Sequence, residues 1–228
     1  MPSFFAERAG GRVTITGADA RHLARSLRAR VGEEIEVIDP AGFLLTARLD
    51  AVSPDLVEGV VVSERPHQPE PAAKITIAVA NLPAPALELV LSRCTEAGAH
   101  AFHVFQAERS VARGARLERW RTICREAAML AGRLRIPEVD ALASLEDVLK
   151  VSDHPVMLAR NAPQSLARLA DPFDLTLLVG PEGGWTEREL AAVPIKAGLG
   201  PRNLRADTAA LVGLSVALAS REGPATTK

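Results

Sequence analysis

The chain has 228 residues, 47% of them apolar and 24% charged, with a formal net charge of −1. That is enough to bury one sizeable core and a small satellite domain, as in a soluble globular protein. No stretch approaches the roughly 18 uninterrupted apolar residues of a membrane helix, and "MPSFFAERAGG" lacks the basic-then-apolar order of a signal peptide, so a cytoplasmic protein is expected.

Residues 1–70 carry short alternating runs, "RVTIT", "EIEVID", "FLLTARLDAV" and "VEGVVVSE", separated by Gly, Asp and Pro turns. They predict a small β-rich domain. One helix is expected inside it, from Asp19 as N-cap through Ala29, with Leu23 and Leu27 as its apolar stripe. The same stretch holds Arg21, Arg25, Arg28 and Arg30, a cationic cluster that reads either as a solvated face or as a phosphate-tracking surface. "RPHQPEPAA", with three prolines in nine residues, reads as a linker and places the domain boundary at residues 70 and 71.

Beyond the linker, strands alternate with helices: "KITIAVA", "ALELVLSRCTEAG", "AFHVFQA", "RLERWRTICREAAMLAG", "PVMLAR", "LTLLVG", "TERELAAVPIKAG" and "TAALVGLSVALAS". Apolar strands in such an alternation argue an α/β domain, a parallel sheet covered by helices, over residues 71–228. Cys94 and Cys124 fall within helical patterns and read as buried reduced thiols. His67, His100, His103 and His154 show no ligand spacing, so no metal is expected. Between Glu108 and Arg135 eight arginines stand against three glutamates, a second cationic concentration. Trp120 lies on an apolar helical stripe, and the last helix, apolar all round, suits a core helix or one shared between core and interface.

The loop Gly180-Pro181-Glu182-Gly183-Gly184 follows the strand "LTLLV" at its carboxyl end, where open parallel sheets place their ligands. Neither phosphate-loop glycine spacing is present and no lysine follows, which excludes a nucleoside triphosphate cradle. Two readings stay open. One is a structural turn, with Thr186 capping the next helix and Glu189 completing a capping box. The other is a small-molecule pocket whose glycines let main-chain groups approach a flat ligand such as adenine.

A second loop, "GLGPRNLRADTAAL" at 198–211, makes the pair specific. Together "LLVGPEGGWTERE" and "LGPRNLRADTA" resemble the cofactor loops of the SPOUT-class ribosomal RNA uridine N3-methyltransferases. The resemblance continues in order through "HLARSLRARVGEEIEVID", "TEAGA", "ERSV" and "RWRTICREAAMLAGRLRIPEV", covering nearly the whole chain. It implies a trefoil-knotted methyltransferase domain preceded by a PUA-like β-barrel that binds RNA. The implied cofactor is S-adenosylmethionine, and the implied substrate is uridine N3 of 16S ribosomal RNA within the small subunit. The implied assembly is a homodimer that completes each pocket across the subunit interface.

Carried onto this chain, the resemblance places the cofactor against Leu178, Gly180, Pro181, Glu182, Gly183 and Gly184 of the first loop, and Leu199, Gly200, Asn203, Leu204, Thr208 and Ala209 of the second. Loss of the uracil N3 proton spreads negative charge over the flanking carbonyl oxygens, which a guanidinium stabilises; Arg205 is the candidate, with an ion pair to Asp207 or Glu182 as the alternative. Glu182 is the candidate base, with hydrogen bonding to loop amides as its alternative. His22, Arg25, Arg28, Arg109 and Arg133 are the candidate RNA contacts.

Two departures from the family pattern bear on RNA. Pro83, Ala84, Pro85 and Ala86 stand where its members carry charges, and Met129-Leu130 replaces a polar pair. A non-catalytic RNA-binding or assembly protein that keeps the fold is therefore the second functional expectation.

Overall fold

The computed structural model describes residues 3–169 and 173–221, which form two units. The first comprises residues 1–70 with 128–136, the second 71–127 with 137–228. The segment 128–136, which the sequence pattern assigned to the α/β domain, therefore clusters with the first unit.

The first unit is a six-stranded sheet in the order β1 (Phe4–Phe5), β4 (Glu34–Asp39), β5 (Phe43–Val52), β6 (Leu56–Pro66), β3 (Arg12–Thr16), β2 (Glu7–Ala9). Its two edge strands, β1 and β2, are separated in sequence by Ala6 alone, so the sheet curls toward itself as a half-barrel. Register shifts between Thr46 and Ala47 and between Leu49 and Ala51 help bend the long β5–β6 pair. Inward residues alternate along the strands: Val13 and Ile15, Ile35 and Val37, Leu45 and Leu49 join Phe4, Leu23 and Val57 in one core.

The expected helix differs from its prediction. It starts at Gly17 rather than behind Asp19, runs as α1 (Gly17–Arg21) into a π-helical turn over His22–Ser26, and stops before Arg28, whose φ is +55°. Leu23 is buried but Leu27 is 40% exposed, because the wider turn rotates the second leucine off the apolar face. The stretch read as a linker is anchored at two points. His67 Nε2 lies 2.6 Å from the Gly132 carbonyl oxygen, and Glu70 accepts from Arg133 Nε at 3.3 Å and from the Leu134 amide at 3.0 Å.

The second unit is a seven-stranded parallel sheet in the order β11 (Gln164–Ser165), β13 (Ile195–Gly198), β10 (Pro155–Leu158), β12 (Leu175–Val179), β7 (Ile75–Ala80), β8 (Ala101–Phe105), β9 (Glu138–Leu142). The central β12 is buried at every position, as a strand covered on both faces must be. On one face, α6 (Ala206–Ala219) packs against α2 (Ala84–Glu96), β7 and β12. Gly213 lets α6 sit close: a Cβ there would stand 2.8 Å from Leu158 Cδ1. On the other face, α4 (Leu145–Val151) and α5 (Glu187–Ala192) cover Ala78, Phe105, Met157 and Leu178.

Trp120 of α3 (Leu117–Leu130) is buried, and both cysteines are buried and free. Desolvation, with a smaller contribution from Cys124, pushes the Cys94 thiol up to about 12, so it stays a thiol at neutral pH. "TERELAAVPIKAG" forms two elements, α5 and β13, divided at Pro194. Proline ends the helix, and β-branched Ile195 begins the strand. Among the described residues no helix is long and apolar enough to cross a membrane.

Candidate functional site

β10, β12 and β13 run parallel, with β10 between the other two, so their carboxyl ends at Leu158, Val179 and Gly198 share one edge of the sheet. The loops that leave them, over residues 159–163, 180–186 and 199–205, surround a cavity of about 830 Å³. That volume lies within the usual range for small-molecule sites.

The glycine loop is built as a tight turn. The Gly184 amide donates to the Pro181 carbonyl at 2.9 Å, and Gly184 itself has φ +71°, where an L side chain is strained. Gly180 leaves room for an indole: a Cβ there would stand 2.8 Å from Trp185 Cε2. Trp185 stacks on Phe105 with ring centroids 6.2 Å apart and planes 9° apart, and its Nε1 donates to the Leu158 carbonyl at 2.9 Å. The expected capping box closes the loop: the Glu189 amide donates to Thr186 Oγ1 at 3.2 Å, and the Thr186 amide to Glu189 Oε2 at 2.9 Å. The two readings of this loop thus coexist, since the turn is one wall of the cavity.

Most residues expected to hold a cofactor line that cavity. Gly180, Pro181, Glu182 and Gly184 do so from the first loop, and Leu199, Gly200, Asn203, Leu204 and Ala209 from the second. Three do not. Leu178 belongs to the core beneath α4 and α5, because alternation along β12 hands the cavity to Val179. Gly183 backs onto Arg109, whose Cβ lies 3.1 Å from the position of an added Cβ. Thr208 is occupied within its own helix turn, its amide donating to Asp207 Oδ1 at 2.7 Å. The segment after β10 went unrecognised in the sequence, although Leu158, Ala159, Arg160 and Asn161 form the third wall. The strand "PVML" followed by polar and proline residues was its only signal; that β10 neighbours β12 and β13 is a property of the topology.

Arg160, Arg202, Arg205 and Lys196 line the cavity against a single carboxylate, Glu182, so the pocket favours anionic groups. The Arg205 side chain is 73% exposed, with its Nε 3.6 Å from Asp207 Oδ1. At that length, and with the guanidinium itself mostly in solvent, the pair holds Arg205 only weakly. Glu182 is exposed.

The candidate RNA contacts divide. His22, Arg25 and Arg28 are exposed on the first unit, and no ion pair holds them among the described residues. Arg133 is corrected: it is 2% exposed and its charge is met by Glu70, so it is not presented to a phosphate. Arg109 is exposed, but its Nη1 donates to the carbonyls of Gly183 and Trp185, both at 3.2 Å, which binds it to the glycine loop. Of the two departures, Met129 fills the barrel core and only Leu130 is surface, at 64% exposure. Pro83 precedes the first turn of α2, with Ala84 and Pro85 exposed beside it.

Comparison with known proteins agrees with this geometry. Residues 68–218 match the model of an RNA methyltransferase domain, and residues 15–62 that of an RNA methyltransferase PUA domain. The chain is 31% identical over 224 residues to the ribosomal RNA small subunit methyltransferase E of Bacillus subtilis, covering 89% of this chain and 88% of that protein. It is 34% identical over 223 residues to the protein of that name from Synechocystis, covering 89% and 71%. A crystal structure of the Neisseria gonorrhoeae ribosomal RNA small subunit methyltransferase E bound to S-adenosyl methionine superimposes with a TM-score of 0.85 at 28% identity, covering 94% of this chain and 95% of that one. The chain therefore belongs to the RNA methyltransferase family that includes ribosomal RNA small subunit methyltransferase E.

Proposed function

We propose that the protein transfers the methyl group of S-adenosylmethionine to uridine N3 of 16S ribosomal RNA in the small subunit. The observation that carries this reading is that both family loops, 180–184 and 199–205, wall one cavity. The residues fit the cofactor. Apolar Val179, Leu199 and Leu204 suit an adenine, and the cations at the cavity suit a carboxylate.

When bound, the cofactor supplies a methyl group already activated on a sulfonium. The protein's work is then to orient the base, exclude water and favour loss of the N3 proton. Arg205, at the cavity and weakly held, stabilises the negative charge that develops on the uracil carbonyl oxygens. Glu182 is the carboxylate at hand to take the proton. His22, Arg25 and Arg28 give the barrel a cationic face for RNA phosphates.

The assembly is a homodimer, supported by the half-exposed Leu211, Val212 and Val216 on α6 opposite its buried Ala210, Leu214 and Leu218. The compartment is the cytoplasm, where its substrate is assembled.

Gly180→Ala is expected to push the indole of Trp185 out of its seat, break the bond to the Leu158 carbonyl and weaken cofactor binding about tenfold or more by titration calorimetry. An unchanged affinity would show that the glycine loop is not part of the cofactor site. The function is tested by incubating the protein and labelled S-adenosylmethionine with small subunits that lack the modification. Label in the 16S RNA is expected. Cofactor binding without label in subunits or free RNA would instead identify a non-catalytic RNA-binding member of the family.

A further inference from the structure

The glycine loop does not hold its shape alone. Arg109 Nη1 bridges the carbonyls of Gly183 and Trp185, both at 3.2 Å, spanning the left-handed Gly184. One residue earlier, the Glu108 amide donates to Glu189 Oε1 at 3.0 Å, while the other oxygen of this buried carboxylate caps Thr186 at 2.9 Å. Trp185 continues the chain of contacts to the third wall through the Leu158 carbonyl. Arg109 itself stands outside the cavity lining, and Gly183 is the residue whose missing Cβ lets it approach.

We propose that Arg109 is a positioning residue: by bridging Gly183 and Trp185 it holds the glycine loop in the form that encloses the cofactor. It thereby ties cofactor affinity to the arginine-bearing segment 106–116. This rests on reading the cavity as the S-adenosylmethionine site. The physical reason is that a segment containing Gly180, Gly183 and Gly184 has much backbone freedom to lose, so cross-links from outside add to the internal Gly184–Pro181 bond in holding it. Both links from Arg109 are charge-assisted, and a guanidinium presents fixed donors where a lysine ammonium presents a mobile point charge.

The test is titration calorimetry of the full chain with S-adenosylmethionine and no RNA, comparing wild type, Arg109→Ala, Arg109→Lys and Arg109→Gln. Arg109→Ala is expected to bind about tenfold more weakly, a change of about 1.4 kcal/mol, with lysine and glutamine restoring only part of the loss. In methyl transfer, KM for the cofactor is expected to rise while the rate at saturating cofactor stays near wild type. A phosphate contact at Arg109 makes the opposite prediction: unchanged cofactor affinity, with RNA affinity lost on alanine and recovered on lysine. That pattern would overturn the proposal. Should the alanine variant fail to fold, an unchanged cofactor affinity in Arg109→Gln would overturn it equally. No binding by the wild type would fail the reading of the cavity itself, a separate result.

Discussion

Arg205→Ala is expected to slow methyl transfer about 100- to 1,000-fold, the usual cost of removing one donor from a developing oxyanion, while leaving S-adenosylmethionine affinity nearly unchanged. The expectation follows from where the residue stands. Arg205 is the N-cap of α6 and lines the cavity, yet its side chain is 73% exposed and only weakly held by Asp207. A guanidinium so placed contributes little to folding and is available to a base presented at the cavity. Single-turnover transfer and calorimetry on the same preparation separate the two roles. Equal losses in rate and affinity would make Arg205 a cofactor ligand, and full activity would leave it as the partner of Asp207. Arg205→Lys should recover only part of the rate, because a point charge does not reproduce two donors in a plane.

Glu70→Ala is expected to destabilise the first unit by about 3–5 kcal/mol, the range for removing one partner of a buried ion pair. Arg133 has 3% of its side chain exposed and Glu70 17%, so water has little access to the guanidinium once the carboxylate is removed. Burial alone pushes the Glu70 carboxyl upward. Hydrogen bonds and charge from Arg133, the Leu134 amide and Arg135 outweigh it and hold the group below its ordinary value of 4.5. A lowered carboxylate contributes stability that is fully present above pH 4.5 and lost as the pH falls through the folded-state value. The difference between wild type and Glu70→Gln in urea unfolding should therefore hold at neutral pH and narrow only in acid below 4.5. A difference that grew on acidification would contradict the pairing.

Local rules carried much of the fold. The alternating runs became the barrel strands, the apolar runs became β7, β8, β10 and β12, and Thr186 with Glu189 formed the capping box that their spacing specified. What was illegible depended on partners distant in sequence. Leu27 lost its place in the core because a π-helical turn follows α1. Arg133 looked like one more cation in a basic stretch until Glu70, 63 residues away, was seen to neutralise it. Arg109 could not be recognised as part of the glycine loop, because its acceptors are carbonyls 74 and 76 residues on.

The candidate site shows the same division. Both loops carried their own signature, but the third wall after β10 follows from strand order, which periodicity does not encode. The sheet order places β12 beside β7 although β8, β9, β10 and β11 intervene in sequence. A threaded chain lay further out of reach: knots are so rare that general topology argues against one, and only the family resemblance suggested it.

The most direct test of the account is the chemical identity of the product. Small subunits lacking the modification, treated with the protein and S-adenosylmethionine, should yield 3-methyluridine when their 16S RNA is digested to nucleosides and resolved by mass spectrometry, and Arg205→Ala should yield almost none. Methyl groups found on a ribose oxygen, on another base, or nowhere would contradict the proposed reaction.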